Sequence, residues 1–449
     1  MIKKIGIRRE DKNKWERRVP LAPGDVARLV SEHGLSIALQ PSTLRIFPDE
    51  AFIRAGAKIS ENISDCDLLI GVKEFPISFF RPGGMYMFFS HTIKGQKHNM
   101  PALKRLKELK CSLLDYERIT DDKGRRLVFF GYYAGLAGMI DTLWALGKRL
   151  RVEGFQTPFE RVRLAHEYAD LAEARKAISE VGEDLKKNGV PLSLQPLVMG
   201  FAGYGNVSRG AQEIFDLLPH RAITPEELAS EGLHSATVAT SAASATNATN
   251  ATNEILKVVF REEHTVRPKD RGAIFNLREF FGKPEKYETG FRKFLDKLTV
   301  LVNCIFWSPS APRLITLEEA DEIWRPRKTA KLRVIGDISC DLGGAIQFTT
   351  KETQPDSPIF VYDPQTREMK MGAEGFGPVV MAVDNLPCEV SAESSKEFSR
   401  SIMPFFPDLA KIDPGALLHE CGLPPELKRA VLLWNGDFAP DYQYMEKFI

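Results

Sequence analysis

Two apolar runs near the N-terminus each stop at ionisable residues: Leu68 to Val72 ends at Lys73 and Glu74, and Met85 to Phe89 ends at Ser90, His91, Thr92 and Lys94. If both runs are parallel strands, these groups point into one crevice. Burial lowers a lysine pKa and a histidine already titrates near neutrality, so Lys73 and His91 could exchange protons with a reacting group. Taken singly, either one reads as a solvent-facing strand terminus. Arginines form a second set. Arg8, Arg9, Arg17 and Arg18 alternate with Glu10, Asp11 and Glu16, and Arg125 and Arg126 precede a long apolar stretch. A guanidinium is the natural bidentate clamp for a substrate carboxylate. The interleaved acids could equally neutralise the first cluster as a surface, and spacing alone does not choose among these arginines.

A third set concerns a cofactor. The buried-strand pattern Leu197 to Ala202 is followed by Gly203-Tyr204-Gly205-Asn206-Val207-Ser208 and by the helical Gln212 to Leu218. In a dinucleotide-binding turn the first glycine makes the bend, and the second lets the backbone approach a pyrophosphate at the helix N-terminus. Ser208 holds the third position of GxGxxG and Gly210 follows it. The segment Leu218 to Thr224 offers no acid for a ribose 2′-hydroxyl, but it does offer His220 and Arg221, which points to NADPH rather than NAD.

Alternating strands and helices must position these groups. Met1 to Arg8, Ser36 to Gln40, Leu68 to Val72 and Met85 to Phe89 read as strands, and Pro23 to His33 and Met100 to Leu109 as helices. Leu127 to Gly147 is apolar and about long enough to cross a bilayer. It also contains Gly131, Gly135, Gly138 and Asp141 and stands alone, so a buried helix over Gly131 to Arg149 is expected, with small residues suited to close approach or a hinge. Phe159 to Lys187 predicts one or two surface helices. Thr299 to Phe306, Leu332 to Asp337 and Val379 to Val383 extend a second sheet, with the polar loop Asp337 to Gly344 at a strand end. Ser391 to Leu409 is helical and expected to return to the first domain. The fold class is thus α/β with two Rossmann-like domains, 1–130 completed by 388–449, and 131–387. Within the second, Ser235 to Asn253 is Ala, Thr, Ser or Asn at eighteen of nineteen positions, predicting a surface excursion.

Composition narrows the partners. With 449 residues and a formal charge of +1, the chain has no global field to attract nucleic acid or an anionic membrane, so a small-molecule ligand is expected. Six dispersed cysteines without a CxxC pair, and eight histidines without HxxxH spacing, predict neither a disulfide framework nor a metal site. The N-terminal residues lack an apolar signal core and an Arg-rich presequence, so the cytoplasm is the expected compartment.

Taken together, Arg8 to Asp11, Trp15 to Arg18, Pro20 to Pro23, Gly71 to Lys73, Phe88 to Lys94, Phe130-Gly131, Ala134-Gly135, Ala137 to Ile140, Gly203 to Gln212 and Asp384 to Pro387 resemble the lysine-ketoglutarate reductases. These form the saccharopine-forming half of the animal and plant α-aminoadipic semialdehyde synthases. The resemblance implies an alanine dehydrogenase-like architecture with the active site in an interdomain cleft. It also implies NADPH-dependent condensation of L-lysine with 2-oxoglutarate to saccharopine, part of lysine degradation. By the same resemblance Lys73 and His91 are the acid/base pair, Arg18 and Arg126 bind substrate carboxylates, and Glu74 and Glu117 tune the local charge. A separate, glutamate-forming saccharopine dehydrogenase would then consume the product. The competing expectations are an NAD-dependent lysine-forming saccharopine dehydrogenase, an alanine dehydrogenase, and a catalytically silent nucleotide-binding module.

Overall fold

A computed structural model describes residues 1–230, 255–325 and 330–449. The tract 235–253 lies outside them. The chain divides into two compact units, Met1–Phe130 with Ser391–Ile449, and Gly131–Val390.

The first unit is built on parallel strands β1 (Lys4–Ile7), β2 (Ser36–Leu39), β3 (Lys58–Ile59), β4 (Leu68–Ile70), β5 (Met85–Phe88) and β6 (Ser112–Asp115). They lie in the order β6-β5-β4-β1-β2-β3, and the C-terminal strands Val431–Trp434 and Asp437–Phe438 continue the sheet antiparallel beyond β6. β4, β5 and β6 are buried at every residue, which explains their unbroken apolar runs. Helices α1 (Pro23–His33), α2 (Asp49–Arg54) and α3 (Met100–Glu108) connect them. α1 ends where expected: Pro23 opens it, and Gly34 closes it at φ 65°, a left-handed cap that glycine adopts without a Cβ clash. The order reverses between β1 and β4, so the crevice at their carboxyl ends is the expected ligand position of this unit. The returning helix Ser391–Ile402 belongs here, its Ser395 and Ser399 hydroxyls accepting from the Val19 and Ala22 amides at 3.1 and 2.9 Å.

The second unit opens with α4 (Gly131–Val152) and α5 (Leu171–Asn188), followed by β7 (Val198–Ala202), α6 (Asn206–Phe215), β8 (His220–Ala222) and β9 (Ile255–Phe260). A small ribbon, β10 (Val266–Pro268) with β11 (Tyr287–Thr289), precedes β12 (Val300–Asn303), β13 (Val334–Asp337), β14 (Ile359–Tyr362), β15 (Met369–Met371) and β16 (Val379–Met381). The large sheet runs β15-β14-β16-β13-β12-β7-β9-β8, parallel from β16 to β8, with β14 and β15 antiparallel at one edge.

α4 is a core helix with fourteen buried residues, and among the described residues no helix is long and apolar enough to cross a membrane. Its glycines serve close packing within one unbroken helix. A Cβ on Gly135 would lie 1.9 Å from the Val207 carbonyl oxygen, and one on Gly210 would lie 2.0 Å from that of Tyr132. α4 and α6 therefore touch backbone to backbone, which only residues without a side chain allow.

Candidate active site

The first unit gathers most of the sequence-predicted groups at the carboxyl edge of its parallel strands. β4 runs out into Lys73 and Glu74, β5 into Ser90 and His91, β6 into Asp115 and Glu117, and β1 into Arg8, Glu10, Glu16 and Arg18. His91 adopts φ 48°. Its Nδ1 stands 2.6 Å from Glu74 Oε1, and its carbonyl accepts from Asn99 Nδ2 at 3.1 Å. Glu74 Oε2 also accepts from Lys12 Nζ at 3.0 Å. Burial pushes the Glu74 carboxyl upward, but the His91 hydrogen bond and charge, with Lys12, outweigh it and hold the group well below the usual carboxylate range. An ionised Glu74 can only accept, so His91 Nδ1 donates and Nε2 is left to exchange a proton.

Lys73 is the other member of this pair. Among the described residues no hydrogen bond or ion pair forms at its ammonium. Burial lowers its pKa first, the Arg18 charge lowers it further, and Glu16 opposes both. Arg18 is buried and forked onto Glu16, with Nε to Oε1 at 2.7 Å and Nη2 to Oε2 at 2.6 Å, and its guanidinium lies 4.4 Å from the Phe130 ring centre. A guanidinium already gripped by one carboxylate and one aromatic face has a fixed orientation. Arg126 is more exposed, 3.4 Å from Glu117 Oε1. Glu117 is tied in through its amide, which donates to Asp115 Oδ1 at 2.8 Å, while Asp115 Oδ2 accepts from the Ser90 amide at 3.2 Å. Arg125 pairs with Asp121 on an exposed turn. The basic N-terminal cluster is therefore more than a self-neutralised surface: Arg8, Glu10, Glu16 and Arg18 are buried, whereas Arg9 is half-buried and pairs with Glu61.

In the second unit the glycine turn lies between β7 and α6. Gly203 has φ 98°, and its amide donates to the Phe260 carbonyl at 2.9 Å. No atom lies within 4 Å of where a Gly205 Cβ would stand, and no side chain caps the first turn of α6. The uncapped first turn of α6 thus begins beside open space at Gly205, an arrangement able to take a phosphate. Asn206 opens the turn at the surface, its Oδ1 accepting from Arg209 at 3.4 Å. Val207 packs towards Gly131. The Ser208 side chain is fully buried, and its hydroxyl accepts from Gln212 Nε2 at 2.8 Å. Further along the same sheet edge, Asp337 is buried among Asn303 Nδ2 at 2.8 Å and Thr349 Oγ1 at 2.7 Å, and burial raises its pKa to about 6 against those bonds.

His220 and Arg221 lie on the edge strand of the large sheet. β8, which carries them, forms the sheet edge, and β9 takes the place beside β7. Arg221 pairs with Leu256 and so lies level with Val198, four residues short of Ala202 at the carboxyl end of β7. At the rise of an extended strand that is about 13 Å along the strand. His220 instead turns Nδ1 to the Leu218 carbonyl at 2.9 Å and Nε2 towards Asp216 at 3.4 Å. The residues that follow the adjacent strand are Arg261 and Glu262. The Arg261 guanidinium is exposed, 5.0 Å from the centre of the Tyr204 ring, and the Tyr204 hydroxyl donates to Glu262 Oε1 at 3.4 Å. The apolar run Ile255 to Phe260 was the available signal for this strand.

The N-terminal domain model described as "Alanine dehydrogenase/PNT, N-terminal domain" matches residues 6–137. α-Aminoadipic semialdehyde synthase of Arabidopsis thaliana is 36% identical over 99% of this chain, and the mitochondrial enzyme of that name from Bos taurus 34% over 99%. The chain spans 41% and 47% of those two relatives' lengths. Saccharopine dehydrogenase [NAD(+), L-lysine-forming] of Emericella nidulans is 25% identical, covering 89% of this chain and 90% of the relative. Among solved structures, an L-alanine dehydrogenase superposes with a TM-score of 0.61 at 17% identity, over 99% of this chain and 100% of the other. A transhydrogenase from Sinorhizobium meliloti gives 0.55 at 15%, over 97% and 100%. The chain is therefore similar along nearly its whole length to one part of the α-aminoadipic semialdehyde synthases, matches the alanine dehydrogenase/PNT N-terminal domain over residues 6–137, and shares the fold of L-alanine dehydrogenase.

Proposed function

We propose that this protein is an NADPH-dependent lysine-ketoglutarate reductase that joins L-lysine to 2-oxoglutarate as saccharopine. The observation that carries the reading is Lys73, without an ion-pair partner among the described residues and with its pKa lowered by burial and Arg18, beside the Glu74–His91 pair on one strand edge. Imine formation needs one group to take a proton from the substrate ε-ammonium and one to give a proton to the departing hydroxyl. Lys73 in its neutral form takes the first role, and His91, donating from Nε2 while Nδ1 is held by Glu74, takes the second. Arg18 and Arg126 hold substrate carboxylates, the first fixed by Glu16 and the second balanced by Glu117. The amine then adds to the C2 ketone, water leaves, and the C=N bond accepts a hydride, which reduced nicotinamide supplies when bound.

The first unit is thus the substrate domain and the second the dinucleotide domain. Gly203 makes the bend, Gly205 leaves room for the pyrophosphate, and the Asn206, Val207 and Ser208 amides would bind it. Arg261, the cation at the end of the strand beside β7, supports the 2′-phosphate of NADPH in place of His220 and Arg221. A glutamate-forming saccharopine dehydrogenase would consume the product. Nicotinamide absorbance separates the readings: lysine plus 2-oxoglutarate should oxidise NADPH, and pyruvate plus ammonia should not. Turnover confined to pyruvate and ammonia would reject the proposal.

A further inference from the structure

Glu10 lies outside the set of residues so far given a role, yet it is buried at the centre of the strand edge that carries Lys73. Its two carboxylate oxygens are both committed to the backbone that leads into Lys73. Oε1 accepts from the Val72 amide at 2.6 Å, and Oε2 accepts from the Lys73 amide at 3.1 Å. The approach depends on Gly71: a Cβ there would stand 3.1 Å from Glu10 Oε1 and 2.5 Å from the Phe75 ring. Two amides just past the end of β4, with no strand partner of their own on this side, are thereby satisfied by one side chain from the loop after β1. Burial, and secondarily the Glu16 charge, raise the Glu10 pKa to about 7, against the two amide bonds and Arg8. An expensive carboxylate kept in such a place is accounted for by the backbone it grips.

We infer that Glu10 is a positioning residue for Lys73, whose forked grip on the Val72 and Lys73 amides fixes the direction in which the lysine amine enters the site. This rests on the reading of Lys73 as a proton-transfer group, and it assigns no contact between Glu10 and substrate. A glutamine cannot replace it, because a carboxamide presents one acceptor oxygen, and its NH2 would oppose one of the two amides. An aspartate keeps both acceptors on a stem one carbon shorter.

The test is a double-mutant cycle in the full chain, with kcat measured under saturating lysine, 2-oxoglutarate and NADPH for wild type, Glu10→Gln, Lys73→Met and the double variant. Glu10→Gln should lower kcat about 10- to 100-fold, the scale of a 1 Å misplacement of a reacting group. It should leave the KM for NADPH within about twofold, and in the Lys73→Met background it should cost no more than about twofold further. An equal loss in both backgrounds, or no loss in wild type, overturns the inference. If Glu10→Gln does not fold, Glu10→Asp carries the same cycle. If Lys73→Met keeps full kcat, the reading of Lys73 itself has failed, and trace acetylation of Lys73 followed by mass spectrometry across pH then decides Glu10 alone. The reaction's half-point should lie below that of ordinary lysines in wild type and move in Glu10→Gln; an unmoved half-point overturns the positioning role.

Discussion

Gly135→Ala tests whether α6 is held by direct backbone contact. In isolation the change favours α4 by about 1 kcal/mol, because glycine is the poorer helix former. The added methyl would stand 1.9 Å from the Val207 carbonyl oxygen, 2.8 Å from the Ala211 nitrogen and 2.9 Å from the Val207 carbonyl carbon. All three are backbone atoms of α6, so no rotamer change relieves the contact. The helices must part by about 1 Å or more, at an overpacking cost of about 1–3 kcal/mol or above. With the clash at the upper end of that range, the net loss is about 2 kcal/mol, or about 4–8 °C in Tm for a unit of this size. Moving α6 also moves the Asn206 to Ser208 amides, so the Kd for NADPH should rise severalfold. Gly24→Ala is the control: nothing lies within 4 Å of its Cβ position, so it should stabilise by about 0.4–1 kcal/mol. Thermal denaturation of the three proteins, with NADPH titration, decides the matter. A Gly135→Ala protein as stable as wild type would show that propensity wins and that the packing argument is mistaken.

Lys73→Met and His91→Gln should each lower kcat by about 10²–10⁴ while NADPH binding, followed by nicotinamide fluorescence, stays unchanged. Arg261→Ala should raise the KM for NADPH about 10- to 100-fold and leave that for NADH nearly constant, whereas Arg221→Ala should alter neither; the reverse pattern would restore the edge strand as the ribose site. Glu389 and Asp141 are buried together, Glu389 close to His166 Nδ1 at 3.2 Å and Asp141 accepting from the Ala165 amide at 2.9 Å. Burial raises both carboxyl pKa values. A raised folded-state pKa stabilises fully below the ordinary value of 4.5 for Glu389, and that contribution fades as pH climbs towards the folded value. Glu389→Gln has no such proton to lose, so its Tm relative to wild type should become more favourable from pH 5 to pH 8; a difference flat across pH would contradict this.

Local signals made much of this legible. Pro23 and Gly34 bracket α1, and the apolar runs ending at Lys73 and His91 are the strands that bring those residues to one edge. The α/β class and the glycine turn follow from the same kind of pattern. What was not legible depends on partners distant in the chain. The edge position of His220 and Arg221 was not legible because a strand's neighbour is set by pairing across the sheet, and the later strand β9 lies between β8 and β7. Ser208 matched a ligand motif, but its hydroxyl turns inward onto Gln212. The glycines of α4 suggested a hinge until α6 supplied the backbone they approach. Glu10 looked like surface charge because its two acceptor contacts lie 62 and 63 residues away in sequence.

The most direct test of the central claim follows the hydride itself. NADPH deuterated at the transferring position of the nicotinamide is mixed with the protein, L-lysine and 2-oxoglutarate, and the products are analysed by mass spectrometry and NMR. The account predicts one product containing both carbon skeletons less one water, with a single deuterium on the carbon that was the ketone of 2-oxoglutarate. Deuterium in an unconjugated amino acid such as glutamate, or consumption of NADPH without a joined product, would contradict it.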